Sequence, residues 1–123
     1  MKVLIADDDR VLSLLLSTRL RARGWHVDVA YDAMQTMMFA MRSAPDVIVL
    51  DINMPGGTGR EALKKLKTSV KTSPIPVVVL SGSIAEEDEP AVLELGAVAF
   101  LRKPVTPDAL HEVLGEVTGA GSA

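Results

Sequence analysis

"DVIVLDINMPGGTG", residues 46–59, runs four apolar residues into Asp51 and then turns through Asn53, Pro55 and two glycines. An aliphatic, β-branched run with no polar alternation is the pattern of a short strand buried on both faces. Placing a carboxylate where such a strand ends needs a reason, and the other strands supply it. Short apolar runs recur as "KVLIA" at 2–6, "HVDVA" at 26–30, "PVVVL" at 76–80 and "AVAFL" at 97–101, with this one at 46–50. Helix-length segments separate them. Strands that alternate with helices join through right-handed parallel crossovers. The fold expected is therefore α/β, a (βα)5 three-layer sandwich. "HVDVA" alternates polar residues with valines, which marks an edge strand with one wetter face. With the second strand at an edge, the first and third become central neighbours in the flavodoxin-like order 2-1-3-4-5.

The composition is consistent with one such domain. A chain of 123 residues buries roughly two-thirds of its unfolded surface around one core. Hydrophobic residues make up 48% and charged residues 24%, and no apolar run approaches the ~20 residues of a membrane helix. A soluble protein without a membrane partner is expected. "MKVLIADDDR" lacks the longer apolar region and small-residue cleavage site of a secretory signal, so a cytoplasmic location is expected. The absence of cysteine excludes disulfides, thiolate metal sites and cysteine nucleophiles. A net charge of −3 with 3% aromatics offers neither basic patch nor stacking surface, which argues against direct nucleic-acid contact.

Caps mark the helices. Asp9 precedes apolar positions at Val11, Leu12, Leu15, Leu16 and Leu20, with Gly24 as the stop. Asp32 with Gln35, Thr58 with Glu61, and Ser83 with Glu86 have capping-box spacing. Thr106 and Pro107 start a last helix whose stripe is Leu110, Val113, Leu114 and Val117. Pro90 conflicts with a helix begun at Ser83, so the fourth helix either kinks there or begins near Pro90. Residues 1–118 are expected to form the domain, and 119–123 a flexible tail or linker stub.

In an open α/β sheet, ligands bind beyond the carboxyl ends of the strands at the switch in strand order. Asp7, Asp8 and Asp9 end the first strand, Asp51 the third, Ser81 and Gly82 the fourth, and Arg102 and Lys103 the fifth. Asp9 is best read as a helix cap. Asp7, Asp8 and Asp51 would share a pocket, and clustered carboxylates call for a compensating cation. An oxygen-only donor set favours Mg2+, with Mn2+ possible. Lys103 would then serve an arriving anion such as a phosphoryl group, and Ser81 would donate to it. "GGTG" is neither a Walker loop nor a dinucleotide fingerprint, and its glycines are read as a strand-to-helix turn. His26 and His111 fall away from the strand ends, leaving no Ser-His-Asp triad.

The pieces "LIADDD", "VIVLDINMPGGTG", "VVVLSGS" and "LGAVAFLRKP", in this order and spacing, resemble the receiver domain of bacterial two-component response regulators over about residues 2–117. The resemblance implies that Asp51 is the phosphoacceptor, taking a phosphoryl group from a histidine kinase or histidine phosphotransfer protein. It implies Asp8 as a direct metal ligand, Asp7 as a ligand mainly through water, and Asn53 as a ligand through its backbone carbonyl. It casts Lys103 as the partner of a phosphoryl oxygen, Ser81 as the hydroxyl that moves toward it, Phe100 as the switch aromatic, and Lys103–Pro104 as a cis bond. An output partner or attached effector domain follows from the same likeness.

The chain departs from the common pattern at Ser81 for threonine, Gly82 for alanine, Thr58 for aspartate and Val105 for phenylalanine. A phosphorylation-independent docking module is the alternative function. A turnover phosphatase is disfavoured because Asn53 stands where its second acid/base carboxylate would be. On the first helix, Leu12 or Leu16 are candidate partner contacts. Met34, Met37, Met38 and Met41 are assigned to core and half-exposed packing rather than to a plastic interface.

Overall fold

The computed structural model describes residues 1–54, 59–82 and 88–119. Five strands and five helices alternate: β1 (Lys2–Ala6), α1 (Arg10–Ala22), β2 (His26–Ala30), α2 (Ala33–Ser43), β3 (Val47–Asp51), α3 (Gly59–Thr68), β4 (Val77–Ser81), α4 (Asp88–Glu94), β5 (Ala99–Arg102) and α5 (Pro107–Thr118). The strands pair in parallel in the order β2-β1-β3-β4-β5. The flavodoxin-like sandwich read from the sequence is the fold observed.

Side-chain alternation along the central strands builds two cores. Val3 and Ile5 of β1 meet Leu16 and Leu20 of α1 and Leu110 and Leu114 of α5 on one face. Leu4 and Ala6 meet Ala40 of α2, Leu63 and Leu66 of α3, and Val92 of α4 on the other. β3 and β4 are buried at every residue, whereas β2 alternates along its exposed edge. β3 and β4 each end one residue later than the apolar runs imply, because Asp51 and Ser81 are the last ladder residues. Both are buried despite their polarity.

Several helix ends follow their caps. Asp9 accepts from Leu12 N–H at 3.0 Å and Thr106 from Ala109 N–H at 3.1 Å. Asp32 accepts from Gln35 N–H at 2.7 Å, while the Gln35 amide reaches back to Tyr31 N–H at 2.9 Å. Gly24, at φ +95°, closes α1 as Trp25 N–H donates to Leu20 O. The Thr58–Glu61 and Ser83–Glu86 boxes involve residues outside those described. So does the tail beyond Gly119, which stands at the C-cap of α5.

Two expectations change. α4 is described over Asp88–Glu94 with Pro90 inside it, and the segment that decides between a kink and a later start lies outside the described residues. In α1 the buried stripe is Ser13, Leu16, Ser17 and Leu20. Ser13 Oγ donates to Asp7 O and Ser17 Oγ to Leu14 O, so two serines take the buried places that the sequence pattern gave to Val11 and Leu15. Val11 is 81% exposed and Leu15 44%, whereas Leu16 is fully buried and cannot be a partner contact. Leu12 is half-buried against the core. On α2, Met37 packs against the core, but Met34, Met38 and Met41 are exposed.

Candidate functional site

The parallel register sets where the polar strand ends meet. Ala6 pairs with Leu50, and Asp51 with Leu80. The chain leaving β1 at Asp7 therefore rises beside Asp51, with Ser81 one step beyond on the next strand. Lys103 follows β5, and its N–H donates to Ser81 O at 2.7 Å, which ties the lysine backbone to the top of β4. The Lys103–Pro104 bond is cis.

From that anchor the Lys103 side chain spans the site. Its Nζ lies 2.9 Å from Asp7 Oδ2 and 3.4 Å from Asp51 Oδ2. Asp7 and Asp51 are buried, and Asp8 is exposed. Asp7 Oδ1 accepts from Asp9 N–H at 2.9 Å, and Asp51 Oδ1 from Asn53 N–H at 3.0 Å, so each carboxylate fixes the turn that follows its own strand. Asp7 Oδ2 is fully buried and takes no hydrogen bond of regular geometry; its compensation is the ion pair with Lys103.

The charges are strained against one another. Burial raises the Asp51 pKa above its ordinary 3.8; the Asn53 N–H opposes the rise, Asp7 reinforces it and Lys103 opposes it. Burial works against the charge on Lys103, but Asp7 and Asp51 outweigh it and hold that pKa above its ordinary 10.5. One oxygen from each of Asp7, Asp8 and Asp51 falls within 4.8 Å of the others. Three carboxylates against one ammonium leave an excess of about two negative charges when all are ionised. This donor set, all oxygen and with Asp7 Oδ2 lacking a hydrogen bond, fits a hard divalent cation.

Ser81 is fully buried at the end of β4, opposite Arg102 in register. Phe100 pairs with Val79 and packs half-buried on the α2–α4 side, with the Arg102 guanidinium 5.1 Å from its ring. Asn53 is exposed immediately after the Asp51 turn. The structure thus gathers Asp7, Asp8, Asp51 and Lys103 at one strand-end site, with Ser81 alongside, and leaves Phe100 on the face below. The individual role of Gly59 is new. Its N–H donates to Ile52 O at 3.0 Å, and a Cβ there would overlap the Ile52 main chain. The sequence signal was only a glycine at a helix start, which reads as a turn.

Residues 3–115 match the family described as the response regulator receiver domain. The chain belongs to that family. This receiver domain is 36% identical over 102 residues to the probable transcriptional regulatory protein TcrX of Mycobacterium tuberculosis, a match spanning 83% of this chain and 43% of TcrX. It therefore spans less than half the length of that relative. Among solved structures, chemotaxis response regulator CheY4 of Vibrio cholerae superposes with a TM-score of 0.87 at 30% identity, covering 94% of this chain and 97% of that one. The Mn2+-bound form of response regulator Rcp1 superposes with a TM-score of 0.77 at 28% identity, covering 98% and 91%. Like its relatives, this receiver domain is a regulatory module of two-component signalling. No helix among the described residues is long and apolar enough to cross a membrane.

Proposed function

We propose that Asp51 accepts a phosphoryl group and that the domain is a switch set by its presence. The observation that carries this reading is Lys103 Nζ lying between Asp7 Oδ2 and Asp51 Oδ2 at the open end of the sheet. A lysine held against the nucleophile is placed to neutralise oxygens that arrive on it.

An Asp51 oxygen attacks the phosphorus of a phosphohistidine. The O–P bond forms, the P–N bond breaks, and the imidazole leaves with the electron pair and is reprotonated from solvent. Lys103 exchanges its pairing with the carboxylates for a phosphoryl oxygen. Ser81 donates its hydroxyl to another, and Phe100 repacks as the top of β4 moves. The face made by α4, β5 and α5 changes in consequence. Asp7, Asp8, Asp51 and the backbone carbonyl of Asn53 would hold Mg2+, or Mn2+, which supplies charge neutralisation for the transferring group. The Mn2+-bound form of Rcp1 supports a divalent ion in a domain of this kind. The domain assists only its own phosphorylation and dephosphorylation.

The donor is a histidine kinase or a histidine phosphotransfer protein in the cytoplasm, and the output passes to a partner or to an attached effector. TcrX, of which this chain spans 43%, is named as a transcriptional regulatory protein and supports the second route. Incubation with acetyl phosphate and Mg2+ should add one acid- and base-labile phosphoryl group, read by intact mass. Asp51→Asn should remove that labelling entirely. Equal labelling of the variant defeats the assignment.

A further inference from the structure

At the opposite end of the sheet, a cleft of about 460 Å³ opens beside the edge strand, lined by Lys2, Arg21, Trp25, His26, Val27 and Asp28. Lys2 and His26 are register partners at the amino ends of β1 and β2. Five residues of strand, roughly 16 Å, separate this end from Asp7 and the phosphoryl site.

Its chemistry is unlike that of the carboxylate site. Lys2 Nζ donates to Ser43 O at 3.2 Å and Arg21 Nη2 to Val27 O at 2.8 Å. Both cations therefore have neutral carbonyl partners, and neither is ion-paired with a carboxylate among the described residues. Asp46 is engaged by the Lys2 main-chain N–H at 2.7 Å. Arg21 keeps donors beyond the one it uses, in the planar fork that matches phosphate oxygens. Trp25 and Val27, only 6% and 8% exposed, show the cleft a narrow apolar floor. Trp25 is held in place by its Nε1–H, which donates to His111 Nδ1 at 3.1 Å. Asp28 adds an acceptor-only group to the lining.

We propose that this cleft binds a phosphate ester of nucleotide size, with the phosphate on Arg21 and Lys2, a ring against Trp25 and Val27, and a ligand hydroxyl donating to Asp28. The volume lies in the range of small-molecule sites, and two cations with one carboxylate select an anion that also carries a hydrogen-bond donor. A bare anion such as pyrophosphate satisfies the cations but meets repulsion from Asp28.

The test is an NMR titration of the full chain with AMP, pyrophosphate and adenosine, without divalent metal. It follows the Trp25 indole N–H and the amides of Arg21 to Asp28. AMP should shift these signals saturably and leave those of Asp7 and Asp51 in place. Adenosine should bind far more weakly. The surface variant Lys2→Gln/Arg21→Gln should weaken AMP about tenfold or more. Asp28→Asn should weaken AMP and strengthen pyrophosphate, a reversal that general damage to the fold cannot produce. Equal AMP affinity in the double variant overturns the proposal, as do shifts confined to the Asp51 end, tighter binding of adenosine than AMP, or no shift with AMP at millimolar concentration.

Discussion

Asp51 shows how the site works against the fold that carries it. Its pKa is raised chiefly by burial, with Asp7 adding repulsion and Lys103 only partly offsetting them. For an acid whose folded pKa lies above its unfolded value of 3.8, the folded chain holds the proton longer than the unfolded chain. The contribution of Asp51 to stability is then greatest below 3.8 and falls as pH rises through the window up to the raised value. Asp51→Asn removes that ionisation while keeping the shape. In EDTA at pH 7 it should be more stable than the parent by on the order of 1 kcal/mol, and the difference should vanish in acid. Urea midpoints at pH 3 and pH 7 check this, and a variant that is less stable at both contradicts it. Gly82 presents a different case. It is exposed, and an added Cβ would meet nothing within 4 Å, so the alanine usual in the family would fit. Gly82→Ala should stabilise by about 0.5–1 kcal/mol through the unfolded chain.

Among elements, α3 is held to the β3 end by a close backbone approach as well as by the core packing of Ala62, Leu63 and Leu66. Gly59 N–H bonds Ile52 O, and a methyl group would overlap that main chain. Gly59→Ala should cost about 1–3 kcal/mol, the scale of overpacking, and should slow phosphorylation by displacing the Asp51 turn. Measured stability and acetyl phosphate labelling rate should fall together; an unchanged rate in a destabilised variant separates α3 packing from the site. β1, β3 and β4 were legible because two-sided burial writes itself as uninterrupted aliphatic runs, and β2 because its alternation marks an edge. The last ladder residues were not, since Asp51 and Ser81 are polar yet buried, and polarity alone reads as a strand's end. The α1 face was misread for the converse reason: Ser13 and Ser17 are buried while Val11 and Leu15 face solvent. A hydroxyl that donates to a nearby carbonyl sits in a core at little cost, and nothing in the one-dimensional pattern announces it.

At the scale of the molecule, five parallel strands deliver their carboxyl ends to one edge, and the sheet is the device that crowds like charges. The residue types at that edge were readable, whereas the pairing of Lys103 with Asp7 as well as Asp51 needed the order and register of β1, β3, β4 and β5. Crowding also makes folding and metal binding reciprocal. A cation that binds only the folded site stabilises it by RT ln(1 + [L]/Kd), about 2.7 kcal/mol at a hundredfold excess over Kd. Its ligands must be ionised to bind, so the gain grows with pH across the range in which Asp51 ionisation costs stability. Mg2+ should therefore raise the thermal midpoint strongly at pH 7 and scarcely at pH 4, flattening the pH dependence expected in EDTA. Asp8→Asn, which alters an exposed carboxylate of the cluster, should lose most of the Mg2+ increment while folding as before. An equal Mg2+ increment in parent and Asp8→Asn would mean that the ion acts elsewhere, and that the strand-end carboxylates are balanced by Lys103 alone.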